Sequence, residues 1–179
     1  MAATIQTIEK PTRARGLDTS GNNNHAQIYS GKALEFDGVA DYLTTGYGSG
    51  LNPYTTPIVI ACWANTKASA SMIFGSTVGT NQRFYGGAKS NVWDLGLQGE
   101  GWGNTPDTGT LPAANLNAWY RLVYVLSSGV ATVYVNGVSC FTKNYTSFTL
   151  NDDFMIGTNN STLTGDAMDG MLSDFQIWN

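Results

Sequence analysis

Apolar and polar residues alternate along much of the chain with a period of two, the spacing of a half-buried β-strand. The clearest case begins at Trp119-Tyr-Arg-Leu-Val-Tyr-Val-Leu, passes a Ser-Ser-Gly turn, and continues as Val130-Ala-Thr-Val-Tyr-Val to Asn136-Gly137. Asn-Gly between alternating apolar residues signals a hairpin, because both turn positions need φ > 0. The spacing predicts further strands at 26–29, 33–38, 42–43, 72–76, 84–88, 91–97 and 154–157. Residues 58–64 are apolar almost throughout, as expected of a central strand covered on both faces. In the last strand, 170–178, Met171, Ser173, Phe175 and Ile177 are expected to share one face. Turn-forming residues crowd 18–24, 46–50 and 99–109, and no segment has helical spacing. The pattern predicts an all-β, two-sheet antiparallel sandwich over residues 17–179, preceded by an extended N-terminal arm, residues 1–16.

Composition narrows the surface chemistry. Charged residues make up 12% of the 179, against about 25% in ordinary soluble domains. Asn, Ser, Thr and Gly must therefore cover most of the surface, which suits neutral polar ligands and protein contacts. A net charge of −4 and a pI near 4.7 argue against nucleic acid as a partner. No run approaches the roughly 20 apolar residues of a membrane-spanning helix. Lys10, Arg13 and Arg15 stand against the single Glu9 in the first sixteen residues, so a small basic arm precedes an acidic body. Such an arm can dock on an acidic neighbour, either another protein or a second copy. The first residues lack the charged and apolar regions of a secretory signal. Cys62 and Cys140 have no metal-ligand spacing and read as two buried free thiols.

Several segments in chain order resemble the laminin-G-like jelly rolls of the concanavalin A-like lectin and glucanase superfamily. They are Asp18-Thr-Ser-Gly-Asn-Asn-Asn-His25, Gly31 through Leu43, Ile60-Ala-Cys-Trp63, Trp119 through Gly137, Met155-Ile-Gly157 and Asp169 through Asn179. The resemblance implies a concanavalin A-like jelly roll, and roles that range over glycan binding, adhesion and structural assembly. It also implies that Trp63 and Trp119, which recur in the family pattern, belong to the core. The signal-free start and the basic arm resemble stand-alone members among tailed-bacteriophage virion proteins.

The residues bear on catalysis, metal binding and glycan recognition. A retaining glycosidase needs two carboxyls about 5–5.5 Å apart. Its relatives in the superfamily set theirs as Glu-x-Asp-x-x-Glu, a pattern that Glu9, Glu35 and Glu100, the only glutamates, do not make. His25, the lone histidine, has no neighbours that mark a nucleophile site. Calcium takes six to eight oxygens. Asp18, Ser20 and Asn22 offer them on one tight loop, and the resemblance implies an acid of the final strand, Asp174 or Asp169, as a further ligand. Glycan recognition asks for an exposed aromatic face flanked by hydroxyl-binding side chains. Trp102, in a glycine-rich loop with Glu100, Asn104 and Asp107, is the leading candidate, with Tyr85, Trp93 and Asp94 on adjacent strands lining the same face.

The first expectation is a non-enzymatic structural or surface module of a virion (decoration, fibre or adhesin), docked by its arm on other virion proteins or on itself and contacting host glycans. The second is a free-standing calcium-dependent carbohydrate-binding module, and the third a glycoside hydrolase relative.

Overall fold

The computed structural model describes residues 14–16, 26–28, 33–39, 41–79, 82–97, 106–158 and 167–179. The chain divides into two compact units, Met1–Ala33 and Leu34–Asn179. In the first, β1 (Ala14–Gly16) and β2 (Ala26–Ile28) pair antiparallel, so the last three residues of the expected extended arm form a ladder strand.

The second unit is a jelly-roll sandwich of two antiparallel sheets, and no described residue is helical. Its strands are β3 (Leu34–Asp37), β4 (Leu43–Thr44), β5 (Ile58–Thr66), β6 (Ser71–Gly79), β7 (Gln82–Lys89), β8 (Val92–Gly96), β9 (Thr108–Gly109), β10 (Trp119–Ser127), β11 (Val130–Val135), β12 (Val138–Asn144), β13 (Met155–Ile156) and β14 (Asp169–Trp178). One sheet runs β3-β14-β5-β10-β11-β12-β9, the other β4-β13-β6-β7-β8. Both turns of the long double hairpin form as their residues demand. Ser128 and Gly129 lie at φ 50° and 86°, Asn136 and Gly137 at φ 52° and 82°. These left-handed pairs match the twist of the strands they join. The edge strands β3, β4 and β9 are only two to four residues long, which limits the backbone open to unwanted pairing.

The core lies between the inner faces. Ile58, Ile60, Cys62, Leu122, Tyr124, Leu126, Val133 and Phe141 meet Phe74, Phe84, Trp93 and Leu95 from the opposite sheet. Phe74 is central, with its ring centroid 5.1 Å from Tyr124 and 5.5 Å from Phe84. Its ring lies so close to Gly86 that a Cβ there would meet it at 2.4 Å, which explains a glycine within β7. Both cysteines are free. Cys62 is buried, which pushes its thiol up to about 12, whereas Cys140 is only partly buried, so one of the two expected buried thiols is not.

One strand, β14, departs from simple alternation. Ser173 pairs with Trp63 and Gln176 with Ala61, so Asp174 and Phe175 together oppose Cys62 in a β-bulge. Asp174 takes φ 51° there, a conformation that Asp tolerates better than most residues. The extra residue reverses which side chains point inward. Leu172 faces the core before the bulge, and Phe175 and Ile177 pack against it afterwards. Met171 and Ser173 therefore do not share a face with Phe175 and Ile177, contrary to the alternation read from sequence. Gln176 and Trp178 take the outer side instead.

A buried ion pair links the two layers. Lys143 of β12 donates from Nζ to Asp94 Oδ1 of β8 at 3.1 Å and to the Leu95 carbonyl at 2.7 Å. Both side chains are buried, and Asp94 Oδ1 also accepts from the Leu95 amide at 2.7 Å. Removing one member of such a pair strands a charge in a poor solvent, whereas replacing both by apolar groups is often nearly neutral. Lys143→Ala is expected to cost about 3–5 kcal/mol by urea denaturation, and Lys143→Met combined with Asp94→Leu to regain most of it.

Candidate functional site

The outer face of the seven-stranded sheet carries the candidate site. Cross-strand partners in an antiparallel sheet point to the same side, so the register lays this face out in rows. One row holds Met171, Asn65 and Trp119. The next holds Ser173, Trp63 and Arg121, followed by Gln176, Ala61, Val123 and Tyr134. Trp178, Val59, Val125 and Thr132 come after. Trp63, Trp119 and Trp178 are 42%, 41% and 46% exposed, high values for tryptophan in regular strands. They stand on the adjacent central strands β5, β10 and β14 and form a shallow diagonal.

Arg121 reaches across β5 to the bulge on β14, where its Nη1 lies 3.1 Å from Asp174 Oδ2. The Gln176 side-chain amide also donates to Asp174. On its other side Arg121 is held by the hairpin turn: its amide donates to Asn136 Oδ1 at 2.9 Å, and its carbonyl accepts from the Asn136 amide at 2.8 Å. Aromatic faces thus alternate with a neutralised, hydrogen-bonding polar cluster. Asn65, beside Trp119, is 4% exposed, and its side-chain oxygen has no partner among the described residues.

Sequence reasoning placed the aromatic residues differently. Trp63 and Trp119, expected in the core, are the exposed ones. Strand β5 is apolar on both sides because its outer side carries Val59, Ala61 and Trp63, so its composition does not report a covering layer. Tyr85, Trp93 and Asp94, expected on a ligand face, are buried, and Trp93 packs edge-on against Tyr120 at 5.3 Å. Asp94 is occupied by Lys143. These three residues therefore present no surface to a sugar.

Asp107 is exposed and accepts from the Asn144 amide, while Trp102, Glu100 and Asn104 lie outside the described residues. So do Asp18, Ser20 and Asn22 of the expected calcium loop and Lys10 and Arg13 of the arm. Of Arg15, only its place in β1 is described. The fourth expected calcium ligand, Asp174, accepts from Arg121 and Gln176. Trp178, Arg121, Tyr134 and Gln176 were missed. Arg121 held the available signal, since a charged residue alternating with Leu122 marks the solvent side and carries Trp119 with it. The carboxylates of Glu35 and Asp37 share the outer side of β3, where Glu35 pairs with Lys67 at 2.6 Å and Asp37 accepts from the Val39 amide. An open cleft of about 440 Å³ between the sheets, lined by Thr45, Tyr47, Ile156, Phe175, Ile177 and Asn179, brings no pair of acidic side chains together.

A family model of the concanavalin A-like lectin/glucanases superfamily matches residues 37–179. The chain belongs to this superfamily. No curated protein sequence matches it significantly. Among solved structures, superfamily likeness extends to the mouse laminin alpha1 chain, domains LG4-5, at 15% identity and a TM-score of 0.61, over 86% of this chain and 43% of that one. Domain 4 of an extracellular arabinanase from Geobacillus stearothermophilus, in complex with arabinotriose, is similar at 17% identity and a TM-score of 0.57, over 96% and 77%. Trypanosoma rangeli sialidase is similar at 14% identity and a TM-score of 0.57, over 86% and 27%. The chain thus spans less than half of the laminin piece and about a quarter of the sialidase. At these identities the likeness is one of fold.

Within the superfamily fold, the bulge decides which β14 residues join the tryptophan face. A partly exposed ion pair contributes only about 0–1 kcal/mol. Arg121→Ala should therefore move the urea midpoint little. Asp174→Val, a β-branched residue at φ 51°, should cost about 1–3 kcal/mol, and Asp174→Gly should escape that strain.

Proposed function

We propose that this chain is a non-catalytic glycan-binding module whose ligand lies on the outer face of the seven-stranded sheet. The observation that carries the reading is the grouping of Trp63, Trp119 and Trp178 on one outward face, each more than 40% exposed. A flat indole matches the C–H face of a sugar ring, and stacking there removes apolar surface from water on both partners. The hydroxyls at the ring's rim then need donors and acceptors. Arg121, Asp174, Gln176 and Asn136 supply both, already ordered by their mutual hydrogen bonds. Binding on this basis needs no bond to form or break, and the module acts by holding its ligand. The fold it shares with an arabinanase domain in complex with arabinotriose is consistent with such a role.

The setting of the module in this proposal is a virion surface, where residues 1–16, with Lys10, Arg13 and Arg15, would dock it on neighbouring proteins. That part is supported by the basic composition of the segment and by resemblance alone.

A glycan array probed with the full chain tests the binding reading. Binding is expected, and Trp63→Ala should weaken it by about 2 kcal/mol or more, as for a central aromatic anchor. Trp102→Ala should leave it unchanged. An array without any signal refutes the reading. Loss with Trp102→Ala alone moves the site to the loop that contains it.

A further inference from the structure

The three tryptophans also bear on the shape and charge of the ligand. Trp119 and Trp63 are one strand and two residues apart, and Trp63 and Trp178 one strand and four residues apart. With a rise of about 3.3 Å per residue and about 4.8 Å between strands, the diagonal is about 22 Å from end to end. Several sugar units are needed to cover it. A pocket for one terminal sugar would enclose its ligand on several sides. Here the tryptophans stand exposed in a row across three strands of one sheet face, the layout of a ligand laid along a surface.

Charge supplies the second constraint. Among the described side chains on or beside this sheet, each cation has an acid partner. Lys67 pairs with Glu35, Arg121 with Asp174, and Lys143 with Asp94 inside the core. Asp169, at one end of the sheet, adds negative charge at the rim, and exposed Asp107 adds more near β9. Among the described residues a polyanion would meet no free cation on this face, whereas a neutral ligand has no charge to oppose.

From these observations, and resting on the glycan-binding reading above, we infer that the ligand is a neutral, extended polysaccharide bound through internal units along the Trp119–Trp63–Trp178 diagonal. Flat, ribbon-like chains with equatorial linkages fit best, because they offer ring faces along a straight line.

Affinity electrophoresis of the full chain tests the inference with hydroxyethylcellulose, glucomannan and mixed-linkage β-glucan as neutral probes, and alginate and heparin as anionic ones. Monosaccharides are offered as soluble competitors. Retardation by at least one neutral polymer and by neither polyanion is expected, without competition from monosaccharides. Trp63→Ala should raise the dissociation constant about thirtyfold or more and Trp178→Ala roughly tenfold, both keeping the melting temperature. Retardation by a polyanion alone, or full competition by a monosaccharide, overturns the inference and leaves glycan binding intact. Silence with every polymer and on the array removes both. A dimer in sedimentation that Trp63→Ala disperses assigns the face to a second copy of the chain and also overturns the inference.

Discussion

A single extra residue in the last strand sets the character of the outer sheet face. In a β-strand the side-chain period is two, so one inserted residue exchanges the two faces for everything beyond it. The bulge at Asp174 and Phe175 makes that exchange in the middle of β14. Phe175 and Ile177 turn toward the core, and Trp178 turns outward to join Trp63 and Trp119. Were the same residues paired in strict alternation, with no bulge, Trp178 would point into the sandwich and Phe175 and Ile177 would face water.

Magnitudes show what holds the bulge. The Arg121–Asp174 pair is partly exposed and worth at most about 1 kcal/mol. Fully burying a Phe or Ile side chain is worth roughly 1.5–3 kcal/mol, and two of them turn inward here. Even partial burial outweighs the ion pair and the cost of a positive φ at Asp174. Packing therefore fixes the bulge, and the ion pair orients what the bulge exposes. It ties Asp174 and Gln176 on β14 to Arg121 on β10, which the Asn136 turn holds in place. The polar groups between the tryptophans are thus ordered by the same contacts that join three strands.

Much of the fold was legible in the sequence. Alternation located the strands, and the Ser-Gly and Asn-Gly turns fixed the long double hairpin, because those residues relieve a specific backbone constraint. The site was far less legible. Trp63 sits in a run apolar on both sides, and such a run reads as buried whether a second layer or open solvent lies beyond it. Trp93 and Tyr85 lie beside polar residues and glycine as in a surface strand, yet Trp93 fills the core, Tyr85 is buried, and Asp94 is tolerated because Lys143 meets it across the sandwich. That partner is 49 residues away and no local pattern announces it. The bulge left no clear mark either, since Asp at a positive φ is also ordinary in turns. The usable clue was Arg121, whose charge identifies the solvent side of β10 and therefore of its register partners.

The central claim is that the sheet face, and not the loop containing Trp102, holds the ligand. The chain has five tryptophans, at 63, 93, 102, 119 and 178, and fluorine NMR of protein labelled with 5-fluorotryptophan resolves them individually once each is assigned by substitution. On titration with a neutral oligosaccharide such as cellohexaose, the resonances of Trp63, Trp119 and Trp178 should move together along one saturation curve while that of the buried Trp93 stays fixed. A saturable shift confined to Trp102 would contradict the account.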